Sequence, residues 1–227
     1  MTRKDESRHR EIAAPYRDVA AFDDRARRYD HGWRGYLHHE ISSRAADLVI
    51  ANVRSPKRVL DLGCGSGYLL RVLAGHYPDA TEFIGVDAAP RMVEVANSLA
   101  HDPRLTFAVG VAEQLPYPDG GIDLIVSTTS FDHWTDQQAG LIECARVLRP
   151  GARLVLVDQF SRLLLPTLLT SRRGKARTKR RADRLLLRAG FQHPEWHHLY
   201  AAIIKGVVAR NRKHQARADT SAITSSK

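Results

Sequence analysis

The residues of this chain that can do chemistry gather around one run of glycines. Gly63, Gly65 and Gly67 alternate within VLDLGCGSGYL, 59–69. Glycine lets a backbone turn sharply and lets a ligand approach it closely. Asp61 stands just before the run, and Asp87 closes the next strand-like segment, TEFIGVD, twenty residues after Gly67. A glycine turn between a strand and a helix is where an open α/β sheet receives small molecules, and the helix that follows offers free N–H groups with partial positive charge.

Two features separate this loop from the G-x-G-x-x-G of nicotinamide enzymes. The third glycine, Gly67, comes one position early, and Tyr68 fills a position that a dinucleotide fold keeps small. In addition, the Asp61 carboxylate repels a pyrophosphate and suits an ammonium group. S-adenosylmethionine carries an ammonium and a sulfonium and no phosphate, so it fits this arrangement. Asp87 is placed to accept both ribose hydroxyls of a nucleoside; the competing role is a turn or helix-capping residue before Pro90. Cys64 needs no role beyond being small in a tight loop.

On the acceptor side the candidates lie in STTSFDHWTDQ, 127–137, after the fourth strand-like segment. His133 is the candidate base, with Phe131 and Asp132 beside it, for an acceptor that loses a proton. Its alternative is to cap and pack the next helix with Trp134. Residues 22–41, FDDRARRYDHGWRGYLHHEI, supply Phe22, Tyr29, Trp33 and Tyr36 for a lid; an amphipathic helix on the sheet edge is the other possibility. His31, His38 and His39 have no paired cysteine or carboxylate spacing, so they are expected on the surface and no metal is expected.

These residues need a scaffold of alternating strands and helices. Strands are expected at 58–63, 81–87, near 105–110, at 121–127 and at 152–158, with helices over about 67–75, from Pro90, and from a Thr135–Gln138 capping box to an Arg149-Pro150-Gly151 turn. In that last helix Leu141, Ala145 and Leu148 face inward. A helix over about 177–189 precedes two strands near 192–199 and 201–209, joined so briefly that they must be antiparallel. The alternation implies an α/β fold, a mostly parallel sheet with helices on both faces.

At 227 residues, with 43% hydrophobic and 26% charged, the chain suits one large domain. Residues 1–20 are expected as a mobile arm, 21–210 as the domain with lid helices at 21–54, and 211–227 as a disordered tail. Two cysteines, no apolar leader and no spanning run point to a soluble, cytoplasmic protein with no membrane partner. The net charge of +10 is concentrated in part in SRRGKARTKRRADR, 171–184, which has eight Lys/Arg against one acid. That segment reads as the solvated face of an amphipathic helix; the alternative is a nucleic-acid surface.

With these motifs in order, the chain resembles the class I S-adenosylmethionine-dependent methyltransferases, in particular the small single-domain group similar to the ubiquinone/menaquinone-biosynthesis type. The resemblance runs from about Phe22 to Arg210. It rests on VLDLGCGSGYL, IGVDAAPRMVEVA (84–96), AVGVAEQLPYPDGGIDLIVST (108–128) and ECARVLRPGARLVLVD (143–158). It implies a Rossmann-like seven-stranded sheet in the order 3-2-1-4-5-7-6, with strand 7 antiparallel. It also implies S-adenosylmethionine as cofactor and an acceptor that is a small molecule, with RNA or protein, or donor binding without catalysis, as alternatives. By this resemblance Asp61, Gly63, Cys64, Gly65 and Gly67 hold the methionine part and Asp87 the ribose. Ala88 and Met92 lie near the adenine, which the Ala112 amide reads with Glu113 beside it. Ser127 and Thr128 line the methyl end, and an aromatic near Tyr29 closes the pocket. Val111 departs from the pattern, standing where the family often has an acid for the adenine amino group.

Overall fold

The computed structural model describes residues 19–160, 178–201 and 203–212. The expected arm, but for Val19 and Ala20, lies outside these residues. So do 213–227 of the expected tail, and residues 161–177 with the first half of the basic segment.

In chain order the helices are α1 (Val19–Arg25), α2 (Gly32–Asn52), α3 (Tyr68–His76), α4 (Pro90–Ser98), α5 (Gln137–Val147) and α6 (Lys179–Arg188). The strands are β1 (Arg58–Leu62), β2 (Glu82–Asp87), β3 (Leu105–Val109), β4 (Ile122–Thr128), β5 (Leu148–Gln159), β6 (Phe191–Tyr200) and β7 (Ile204–Asn211). They form one sheet in the order β3-β2-β1-β4-β5-β7-β6. The pairs from β3 to β5 are parallel, and β7 runs antiparallel to both β5 and β6. Fold class and strand order are those expected.

Strand alternation sends successive side chains to opposite faces and builds a core on each. Leu60, Ile125, Leu154 and Leu156 pack with Leu141, Cys144 and Val147 of α5 and Ala182 and Leu186 of α6. Val59, Val126, Val155 and Val157 pack on the other face with Ala45 and Val49 of α2 and Leu70 and Leu73 of α3. Arg180, Arg181, Arg184 and Arg188 of α6 are exposed, which gives this part of the basic segment its solvated face.

Three boundaries differ from expectation in ways the structure explains. The N-cap of α5 is Asp136, not Thr135: its Oδ1 accepts from the amides of Gln138 at 2.9 Å and Ala139 at 3.0 Å. The more acceptor-rich carboxylate wins the cap by one position. Leu148 is extended and opens β5, pairing with Ile122, and Arg149 after it is turned from helical angles by Pro150. The Arg149-Pro150-Gly151 turn is absorbed as an irregularity within β5, with Gly151 at φ 81. At the far end β7 runs one residue past the expected boundary of 210. Asn211 is 5% exposed, and its amide donates to the carbonyls of Ala145, Leu148 and Arg149.

Candidate functional site

The site lies at the carboxyl ends of β1, β2, β4 and β5. The loop after β1 is built from left-handed glycines: φ is 74 at Gly63, 54 at Gly65 and 77 at Gly67. It is gripped from three sides. A Cβ on Gly63 would lie 1.9 Å from Ser130 Oγ, and one on Gly67 would lie 2.5 Å from Phe107 Cζ. At Gly65 the nearest atom is Tyr29 Cε1 at 3.4 Å. The amides of Gly63 and Cys64 both donate to the Val86 carbonyl, at 2.7 and 3.2 Å, which ties the loop to β2. Gly67 caps α3 with no side-chain hydrogen bond, so the first amides of that helix face the loop without a side-chain acceptor.

Asp61 faces the α2–α3 side of the sheet, level with Val126 of β4. It is 2% exposed, and its Oδ1 is buried with no hydrogen-bond partner among the described residues. Burial, aided by the nearby Asp87, pushes its carboxyl up to about 8. An acid left this way lacks a positive partner. Asp87 accepts from the Gly65 amide and from the Ala89 amide, each at 2.9 Å, one on each oxygen. Its carboxyl is raised by burial and partly lowered by those two bonds. Each oxygen keeps a lone pair for a further donor. The turn role weighed for Asp87 is therefore real, and it leaves the ribose role open.

Tyr29 lies over this ground. Burial raises its phenol, and Asp87, Asp30 and Asp61 raise it further, so it stays a neutral hydrogen-bond donor. With Phe22 it packs against Met92 and Ala89. Phe22 also meets the His133 ring edge-on at 5.2 Å, so α1 bridges the loop after β2 and the turn after β4. Trp33 and Tyr36 do not join them. They are 71% and 63% exposed and stack on each other at 6.2 Å, because the first turns of α2 point them to solvent.

The remaining candidates divide in the same way. Met92 is 1% and Ala112 6% exposed, while Ala88 is half-buried beside Asp87. Val111 is bridged to Gln114. Glu113 Oε1 accepts from the Asp136 amide at 2.9 Å, anchoring the start of α5. Ser127 Oγ and Thr128 Oγ1 are buried without hydrogen-bond partners among the described residues. Phe131 is 1% exposed and packs with Trp134 and Phe160 in the core. His133, two residues on, is exposed, because Phe131–His133 form a single 3-10 turn, in which three successive side chains leave in three different directions. Cys64 is buried, and burial raises its thiol.

Three residues escaped the sequence reading. Asp158, at the end of β5, is 4% exposed. Its Oδ2 accepts the Asp132 amide at 3.0 Å and its Oδ1 the Gln159 amide at 2.7 Å. Burial pushes it up to about 6, with Asp132 adding to the rise and His133 opposing it. Its signal was available: like Asp61 and Asp87, it is an acid at a strand's carboxyl end. Asp30 and Ser66 meet through a 3.0 Å hydrogen bond across 36 positions, which no local pattern announces. His38 and His39, expected as surface residues, are half-buried and partnered by Tyr29 and Asp30.

Residues 60–156 match the model of a methyltransferase domain family. An uncharacterized methyltransferase, YcgJ, of Bacillus subtilis is 39% identical over 133 residues, 56% of this chain and 51% of that one. Demethylmenaquinone methyltransferase of Deinococcus radiodurans is 37% identical over 131 residues, 57% of this chain and 50% of that one. The chain thus matches about half the length of these curated relatives. Among solved structures, a SAM-dependent methyltransferase from Aquifex aeolicus superposes with a TM-score of 0.66 at 20% identity, covering 83% of this chain and 98% of that one. Among the described residues no helix is long and apolar enough to cross a membrane.

Proposed function

We propose that the chain, whose residues 60–156 match a methyltransferase domain family, moves a methyl group from S-adenosylmethionine onto a small-molecule acceptor. The observation that carries this is Asp61, a buried acid beside Asp87 and the glycine turn, whose Oδ1 has no hydrogen-bond partner among the described residues. Asp61 and Asp87 both lie within electrostatic reach of Tyr29. Such a pocket favours a cation and repels a phosphate.

When bound, S-adenosylmethionine supplies a methyl group activated on a sulfonium sulfur. Asp61 holds the ammonium end and returns to its ionised form as it does so. The amides at the start of α3 face the cofactor carboxylate. Asp87 accepts the ribose hydroxyls on its remaining lone pairs. Met92, Ala88 and the 111–113 segment flank the adenine. Ser127 and Thr128 line the methyl end, and Phe22 and Tyr29 cover it and exclude water. The protein's task is then to hold the acceptor in line with the methyl group. His133, on the acceptor side, takes a proton from an acceptor that must lose one. Asp158, through the Asp132 amide, holds the turn that carries His133.

The small-molecule class of acceptor is favoured by the demethylmenaquinone relative. A tritiated-methyl transfer screen over metabolite extract, bulk RNA and protein tests it. Label is expected in the small-molecule fraction and absent with Asp61→Asn. Label in RNA or protein, or none despite cofactor binding, contradicts the proposal.

A further inference from the structure

The turn between α1 and α2 makes a second set of contacts with the glycine loop, which the assignments above leave unused. Asp30 Oδ1 accepts from Ser66 Oγ at 3.0 Å and lies 3.0 Å from His39 Nε2. Ser66 stands between Gly65 and Gly67 and is 2% exposed. The His39 ring lies flat on Tyr68, the first residue of α3, at 4.1 Å and 9°. One residue earlier the pattern repeats. His38 stacks on Tyr29 at 4.7 Å, with its Nδ1 3.4 Å from the phenol oxygen, and Tyr29 covers Gly65. Residues 29 and 30 are therefore held by 38 and 39 and touch 65 and 66.

The backbone is shaped for this. Gly32 takes φ 67 to begin α2, and Gly35 lets the Asp30 carbonyl seat where a Cβ would come within 2.3 Å. A buried hydroxyl held by a partly buried carboxylate is a stronger bond than one between neutral groups. It fixes the loop at the point where two left-handed glycines would otherwise leave it free.

We propose that Asp30 is a positioning residue for the donor site: it joins the glycine loop to the α1–α2 segment, so that pocket and roof form as one unit. This rests on the glycine loop being the S-adenosylmethionine site. It follows that Ser66 and Asp30 contribute to binding through each other, without either touching the cofactor. Preorganisation of this kind raises affinity by lowering the ordering cost on binding.

S-adenosylhomocysteine is the probe, since it needs no acceptor. Calorimetry on the full chain should show Ser66→Ala and Asp30→Ala each weakening binding by about 5–20-fold, with the double variant within about 2-fold of the weaker single, as coupled sites behave. Asp30→Asn, which still accepts from Ser66, should recover most of the affinity. Trypsin cleavage after Arg25 or Arg28, at saturating probe, should be slow in wild type and at least about 5-fold faster in Asp30→Ala, because docking of the segment is what protects it. Single variants within 2-fold of wild type, losses that multiply in the double variant, or unchanged cleavage overturn the proposal while wild-type binding stands. A wild type that ignores the probe overturns the donor-site reading and this proposal with it.

Discussion

A buried acid whose oxygen finds no hydrogen-bond donor is a cost in the free protein and a handle in the bound one. Asp61 shows the cost: its carboxyl sits at about 8 against an ordinary 3.8. A folded value above the unfolded one means folding favours the protonated acid, so the stabilising share is full below about pH 4 and is lost as pH rises toward 8. Asp61→Asn removes this penalty. Its Tm in the cofactor-free state at pH 7 should exceed wild type by several degrees, at about 2–4 °C per kcal/mol for a domain of this size. The same variant should bind S-adenosylmethionine at least about 30-fold more weakly, because a desolvated charge loses its partner. A lower Tm together with intact binding would place the carboxylate outside the site. His133 acts at the other end of the reaction. His133→Ala should slow turnover by about 100-fold and leave cofactor affinity unchanged once an acceptor is in hand. Turnover that is unaltered across pH returns His133 to a packing role beside Phe22.

At the scale of elements, the site is a set of strand ends and the loops they release. The glycine loop is fixed less by its own sequence than by what closes on it, Ser130 over Gly63 and Phe107 over Gly67. Gly63→Ala meets both a left-handed φ and the Ser130 side chain. It should cost about 2–4 kcal/mol in urea unfolding, and Ser130→Gly should restore only the steric part. If Gly63→Ala is neutral, the loop is not held as described. The strands and the glycine loop were legible because alternation and glycine spacing are local signals. The antiparallel β6–β7 pair was legible from the shortness of its connection. The cap of α5 lies one residue later than the T-x-x-Q spacing suggests, because the stronger capping side chain, Asp136, stands next to Thr135. The roles of Asp30, Ser66, His38 and His39 were not legible, since each depends on a partner from another element. The lid was half legible: aromatic content marked the segment, but helix phase decides that Tyr29 turns inward and Trp33 outward, and that phase comes from docking.

For the whole molecule, the two sheet faces carry ordinary apolar cores, and the charge that departs from the ordinary is buried at one end. Asp61 and Asp158 both sit above their ordinary range, at about 8 and about 6. By the sign worked out above, both favour the folded state more at mildly acidic pH than at pH 8. The Tm of the cofactor-free protein should therefore rise as pH is lowered from 8 toward about 6.5, below which His38, lowered by burial, works the other way, and Asp61→Asn should flatten that slope. A maximum at pH 8 in the free wild type contradicts both assignments.

A buried acid that waits for a cation must shed its proton when the cation arrives, and proton release measures this directly. S-adenosylmethionine is titrated into the protein near pH 7 in two buffers of different ionisation enthalpy. A complex of one cofactor per chain is predicted, with the release of close to one proton as Asp61 ionises against the ammonium, and without that release in Asp61→Asn. Binding with no proton released and equal strength in the variant, or uptake of a nicotinamide dinucleotide in its place, would contradict it.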